Sequence, residues 1–166
     1  MASIFNNSIT TKANAILDAC KAQGVRLATV ESCTGGLLAA ILTEQPGSSS
    51  MFTHGFVTYS NEAKNEMVGV ELRLLGQHGA VSEPVARAMA EGALRRSRTE
   101  LALSITGIAG PSGGSEKKPV GTVHFACAMI GKPTLHHHKI FAGSRSEIRL
   151  AAVNHALDMI LEELKR

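Results

Sequence analysis

Ser32 and Cys33 stand side by side in the stretch Glu31-Ser32-Cys33-Thr34-Gly35-Gly36, which joins the apolar run "VRLATV" to the apolar run "LLAAIL". A side chain at a strand-to-helix turn is held clear of the sheet, and the first N–H groups of the helix have no partner within it. Such donors can hold a phosphate or the negative oxygen of a tetrahedral intermediate. The same residue types also make a plain helix cap with glycines for the turn. Taken alone, the six residues do not choose between cap, anion cradle and nucleophile, nor between hydroxyl and thiol. No histidine near Cys33 in sequence supplies the partner that a thiolate usually has.

A second stretch, "VTYSNEAK", places Tyr59, Asn61, Glu62 and Lys64 at the end of a strand and on the first helical turn after it. Asn61 and Lys64, three apart, share a face of that turn. A lysine with a lowered pKa, buried beside a serine, is a general base for that hydroxyl; exposed, it is one surface charge on a short helix. A third stretch, "TGIAGPSGGSEKKPVG" from Thr106, is rich in glycine and carries Lys117 and Lys118. It reads either as backbone amides around an anion or as a flexible loop. It is not a Walker loop, since no Gly-Lys-Ser/Thr follows and no helix is predicted to start there.

His136, His137 and His138 lie in a predicted strand, where successive side chains alternate faces. At most His136 and His138 could then share a metal, and the expected reading is an exposed edge strand. His54, His78 and His155 stand without ligand spacing, so no metal site is expected.

The elements that must position these residues alternate. Ser8 to Lys21 has helical spacing with Ser8 as N-cap and Gly24 as stop, followed by a buried strand over Val25 to Glu31. Gly36 to Glu44 is a helix, Met51 to Ser60 a strand, and Asn61 caps a short helix. "GQHGAVSEP" is a loop before a helix from Glu83 to Ser97 capped by Ser82. A strand from Glu100, a hairpin around Gly131-Lys132-Pro133 and a long helix from Arg145, with Ser144 and Glu147 as capping box, complete the chain. The expected fold is a single α/β domain over 1–166, a three-layer arrangement with a mixed β-sheet covered by helices on both faces. In such sheets ligands collect beyond the carboxyl ends of the strands, where all three stretches fall. The opening "MASIFNNSIT" reads as a polar lead-in.

Composition narrows the function classes. Of the 166 residues 44% are hydrophobic, enough for one good core, while aromatics are only 4% with Tyr59 the one tyrosine and no tryptophan. Stacking platforms for nucleic acid need more aromatics, and the net charge of +3 is spread without a polybasic block, so no nucleic-acid partner is expected. No apolar run is long enough to span a bilayer, so no membrane partner is expected. Three cysteines, odd in number and far apart, with no secretory leader, point to the cytoplasm.

The motifs "ATVESCTGG", "GFVTYSNEAK", "AVSEPVARAMAEGA", "SITGIAGPSGG" and "KPVGTVHFA" follow one another in order over nearly the whole chain. Together they resemble the C-terminal domain of the CinA (competence/damage-inducible) family, the nicotinamide-nucleotide amidases. That resemblance implies a compact, often homo-oligomeric α/β enzyme that hydrolyses the carboxamide of nicotinamide mononucleotide (NMN) to nicotinate mononucleotide and ammonia, without a cofactor. By the same resemblance Ser32 is the nucleophile, Lys64 the base and Tyr59 an orienting hydroxyl. Thr34, Gly35 and Gly36 would line the reacting carbonyl or a phosphate, with Asn61 beside them. Thr106, Gly107, Ala109 and Gly110 would line the nucleotide pocket, and Arg145 would suit its phosphate. Helix N-terminal amides would hold the developing oxyanion. Ser112 occupies a variable place in the family's glycine loop. The alternatives are a non-catalytic nucleotide-sensing or partner-binding module using the same cradle, and a hydrolase for another pyridine nucleotide or nucleoside diphosphate derivative.

Overall fold

Five strands form one sheet in the order β2-β1-β3-β4-β5, in a computed structural model that describes residues 5–166. They are β1 (Leu27–Glu31), β2 (Phe52–Val57), β3 (Leu101–Gly107), β4 (Thr122–Met129) and β5 (Leu135–Ile140). The helices are α1 (Asn7–Gln23), α2 (Leu37–Glu44), α3 (Asn61–Val68), α4 (Leu72–His78), α5 (Glu83–Ser97) and α6 (Arg145–Lys165). Strands β2, β1 and β3 run parallel, and β4 and β5 add as an antiparallel hairpin. The expected single α/β domain with a mixed sheet and helices on both faces is what the chain forms. Of the polar lead-in, residues 1–4 lie outside the described residues.

The two faces of the sheet differ in the size of what covers them. Leu27, Leu101, Leu103, Ile105 and Phe125 point to a core with Ile16, Leu38, Ile41, Leu157 and Ile160, contributed by α1, α2 and α6. On the other face Ala28, Val30 and Ala102 meet Val68, Val85 and Met89. There α5 lies close to β4 because Ala86 and Ala90 oppose Ala126 and Ala128. Alternation of inward side chains along each strand produces this division.

Register places the site. Glu31 pairs with Val57 on one side and with Ile105 on the other, so β1 and β2 end together and β3 runs on past them to Gly107 along β4. The residues that follow these three, Ser32, Thr58 to Lys64 and Thr106 to Gly110, therefore emerge at one edge, with the chain turning to opposite sides of β1.

Several local expectations are corrected. Asn6, not Ser8, caps α1, its Oδ1 accepting from Ile9 N–H at 3.0 Å. Ser60, not Asn61, caps α3, through Ala63 N–H at 3.0 Å. The expected loop at "GQHG" is largely the end of α4, whose Leu75 is buried and whose Gly76 is tolerated on an exposed face. Ser82 does hold the N-cap position of α5, but its hydroxyl donates back to Gly79 O at 2.8 Å. The Ser144–Glu147 capping box of α6 forms as the spacing implied.

Candidate active site

Lys64 sits on α3 with its amine inside the protein. It is 1% exposed, and its Nζ lies 3.1 Å from Ser32 Oγ, 2.8 Å from Thr58 O and 3.5 Å from Ser60 O. Among the described residues no carboxylate pairs with it. Removing an ammonium from water disfavours its charge, so burial lowers the Lys64 pKa from its ordinary value of 10.5. A neutral amine has two N–H groups and one lone pair. In that state the two N–H groups serve the Thr58 and Ser60 carbonyls and the lone pair can accept from the Ser32 O–H, whereas the ammonium donates to all three, Ser32 Oγ included.

Ser32 lies beside Lys64 on the rim of a cavity of about 290 Å³, near the lower end of small-molecule sites. Its walls bring together Ser32, Tyr59, Asn61, Lys64, Thr106, Gly107, Ala109, Gly110 and Arg145, all singled out in the sequence. The neighbouring Cys33 also reaches the cavity, but burial pushes its thiol up to about 11. At neutral pH it is a protonated thiol and a poor nucleophile.

Thr34, Gly35 and Gly36 are not on the cavity wall, contrary to their expected place. The reason is Glu31. Its buried carboxylate accepts from Thr34 Oγ1 at 2.7 Å, Leu38 N–H at 2.8 Å and Ala39 N–H at 3.1 Å. The opening of α2 is thus closed by the protein's own carboxylate and is not free to hold an oxyanion or phosphate. Burial raises the Glu31 pKa, while these donors pull it down. Gly35 and Gly36 serve the turn itself, with φ of +59° and +101° that side chains rarely adopt.

Arg145, at the start of α6, ties the mouth together. One terminal nitrogen donates to Gly110 O at 2.7 Å and the other to Tyr59 Oη at 2.8 Å. Tyr59 is otherwise 60% exposed, so this bond is what holds its ring at the rim. Thr106 directs its hydroxyl away, to Ala80 O at 2.8 Å, which draws the loop before α5 into the wall. A side chain at Gly107 would meet Val123 and Thr122 O, and one at Gly110 would overlap Val120, so β4 can pass close behind the loop.

Ile108, Ser112 and Gly113 of the loop from Thr106 also line the cavity, while the sequence singled out neither Ala80 and Val81 as lining residues nor Glu31 and Arg149 as braces of the turn. Arg149 donates from Nε to Cys33 O and from a terminal nitrogen to Thr34 O, both at 3.1 Å. One signal was available: Arg145 and Arg149 are four apart on one helix and so share a face.

The clustered histidines fall elsewhere, on the β4–β5 hairpin and on α6 against it. His124 Nδ1 is 3.0 Å from His136 Nε2 and stacks on His138, while His137 Nδ1 is 3.0 Å from His155 Nε2 on the opposite face. His136 and His138 do share a face, yet His136 and His137 are half-buried rather than exposed. Among the described residues no group of three or more His, Cys, Asp or Glu could hold a metal ion. No helix among them is long and apolar enough to cross a membrane.

The chain matches the CinA C-terminal domain over residues 9–164. It belongs to the CinA C-terminal domain family. It is 51% identical over 145 residues to nicotinamide-nucleotide amidohydrolase PncC of Escherichia coli strain K12, covering 87% of this chain and 88% of that one. A CinA-like protein of Syntrophobacter fumaroxidans is 55% identical over 135 residues, which span 81% of this chain and 32% of its relative. The crystal structure of competence/damage inducible protein CihA from Agrobacterium tumefaciens superposes with a TM-score of 0.96 at 47% identity, covering 99% of this chain and 100% of that one. CinA-family membership therefore extends to the three-dimensional arrangement of the whole domain.

Proposed function

We propose that this CinA-family domain is an amidohydrolase that converts nicotinamide mononucleotide to nicotinate mononucleotide and ammonia. The observation that carries the reading is the buried Lys64 amine 3.1 Å from Ser32 Oγ at the cavity rim. The high identity to the Escherichia coli amidohydrolase over most of both chains supports the substrate.

Ser32 Oγ attacks the carboxamide carbon while its proton passes to neutral Lys64. The C–N bond then breaks, the Lys64 ammonium returns that proton to the departing nitrogen, and ammonia leaves an acyl ester on Ser32. Water adds to the ester with Lys64 again taking a proton, and the carboxylate departs as Ser32 Oγ is reprotonated. Tyr59 and Arg145, bonded to each other, orient the substrate at the mouth, and Arg145 keeps guanidinium N–H groups for its phosphate. Asn61, Thr106, Gly107, Ala109 and Gly110 shape the pocket. Cys20, Cys33 and Cys127 are free and buried, which supports work in the reducing cytoplasm. Homo-oligomerisation, implied by the family, is checked by solution mass.

The test is ammonia and nicotinate mononucleotide release from NMN by the purified protein in the presence of a chelator. Turnover by wild type and its loss in Ser32→Ala are expected. Calorimetric binding of NMN without turnover would instead make the domain a nucleotide-sensing module.

A further inference from the structure

The backbone donors beside Ser32 can be followed one by one. Gly35 N–H goes to Ser32 O at 3.0 Å, Leu37 N–H to Thr34 O at 3.2 Å and Ala40 N–H to Gly36 O at 2.9 Å. Leu38 and Ala39 donate to the Glu31 carboxylate, which Gly36 N–H also faces. What remains is the N–H of Cys33 and of Thr34, neither of which has an acceptor on another of the described residues. Of the two, Cys33 lines the cavity and Thr34 is fully buried behind it.

A peptide plane holds its C=O and N–H antiparallel. Ser32 C=O turns inward to Gly35 N–H, so the N–H on the same plane, that of Cys33, points out of the turn. The next two carbonyls, of Cys33 and Thr34, would repel a developing negative charge if they faced the substrate. The Arg149 guanidinium takes both at 3.1 Å, its planar fork matching two carbonyls as a lysine cannot. Arg149 has no ion pair among the described residues, so its charge also remains to favour an anion at the turn.

We propose that the backbone N–H of Cys33 donates to the oxyanion formed when Ser32 attacks, and that Arg149 is the residue that positions it. The inference rests on the serine-amidase reading. It replaces the α2 N-terminus, which Glu31 occupies, with a donor on the residue next to the nucleophile. Arg149 touches neither substrate nor reacting atoms; it acts through the peptide it holds.

The experiment compares wild type, Arg149→Ala and Arg149→Lys in steady-state NMN hydrolysis. Loss of an aligned oxyanion donor lowers kcat by about 10²-fold, while KM should shift by no more than about threefold because ground-state binding is untouched. Arg149→Lys, which keeps the charge but not the fork, should fall between, and added guanidinium ion should restore part of the Arg149→Ala rate. In parallel, Ser32 of the ¹⁵N-labelled wild type is phosphonylated with an alkyl fluorophosphonate, whose phosphoryl oxygen mimics the oxyanion. The Cys33 amide proton should then move downfield. Unchanged kcat in both variants, or a Cys33 amide that does not respond to the adduct, overturns the inference. Wild type that fails to hydrolyse NMN defeats the underlying reading instead, and with it this one. If Arg149→Ala does not fold, Arg149→Lys and the amide shift decide the matter.

Discussion

Lys64 Nζ meets Ser32 Oγ at 3.1 Å while the lysine is buried and, among the described residues, without a carboxylate partner. Burial penalises the ammonium, so the folded-state pKa falls below 10.5 and the neutral base is populated at lower pH than for a free lysine. Activity that needs the neutral amine must rise with pH and level off above that lowered value. The pH profile of kcat/KM should therefore show an acid limb with an apparent pKa below 10.5. Lys64→Arg should be inactive throughout, since a guanidinium does not give up its proton. A wild-type profile flat across the accessible range, or an active Lys64→Arg, removes Lys64 as the base.

The thiol next door gives a second prediction. With its pKa pushed up to about 11 by burial, Cys33 carries little thiolate at pH 8, and the Lys64 amine is hydrogen-bonded to Ser32 Oγ beside it. Ser32→Ala should cost about 10³-fold or more in kcat, as loss of a nucleophile does. Cys33→Ala, which keeps the backbone N–H, should cost no more than about tenfold by the same scale of comparison. The reverse ranking would make sulfur the attacking atom.

Much of this arrangement was legible in the sequence because short-range signals and register act together. The β-branched run before Glu31, the glycines after Thr34 and the loop from Thr106 each announced a strand end, and strand ends in a parallel sheet converge. Lys64 was legible as a candidate base, but its burial was not, since that depends on Val68, Met89 and Val85 packing α3 down on α5. The role of Glu31 was not legible. A carboxylate at the last position of a buried strand has no local sequence mark distinguishing an inward cap of α2 from a surface charge, and only the fold decides it. The same holds for Arg149, whose partners Cys33 and Thr34 are more than a hundred residues away in the chain.

Glu31 yields a third prediction. Its carboxylate presents acceptors only, and the neighbours that face it are donors: Thr34 Oγ1 and the N–H groups of Gly36, Leu38 and Ala39. Glu31→Gln is nearly isosteric but turns one acceptor into an NH2 that must face a donor, leaving buried N–H groups unpaired at about 1–3 kcal/mol. Denaturant unfolding should report that loss, and NMN hydrolysis should slow because the turn carrying Ser32 loses its inner brace. Glu31→Gln with wild-type stability and wild-type kcat would show that the carboxylate is dispensable to the turn.

The last prediction concerns how α3 is seated. Gly92 lies in the interior of α5, where alanine is ordinarily more favourable by about 1 kcal/mol. Here a Cβ would overlap the carbonyl oxygen of Val68, the final residue of α3, and that neighbour is backbone and cannot rotate aside. Relief requires α3 to move as a unit, and α3 carries Lys64 one turn earlier. Overpacking of this kind costs about 1–3 kcal/mol, and a displacement near 1 Å at a catalytic pair can cost about 10²-fold in rate. Gly92→Ala should therefore lower both the melting temperature and kcat. Gly76→Ala, on the exposed face of α4 with open space around it, should leave kcat alone and raise stability by up to about 1 kcal/mol. Thermal melts and NMN kinetics on the two variants check the pair. If Gly92→Ala melts with or above the wild type at full activity, close approach of α3 and α5 is not what sets the position of Lys64.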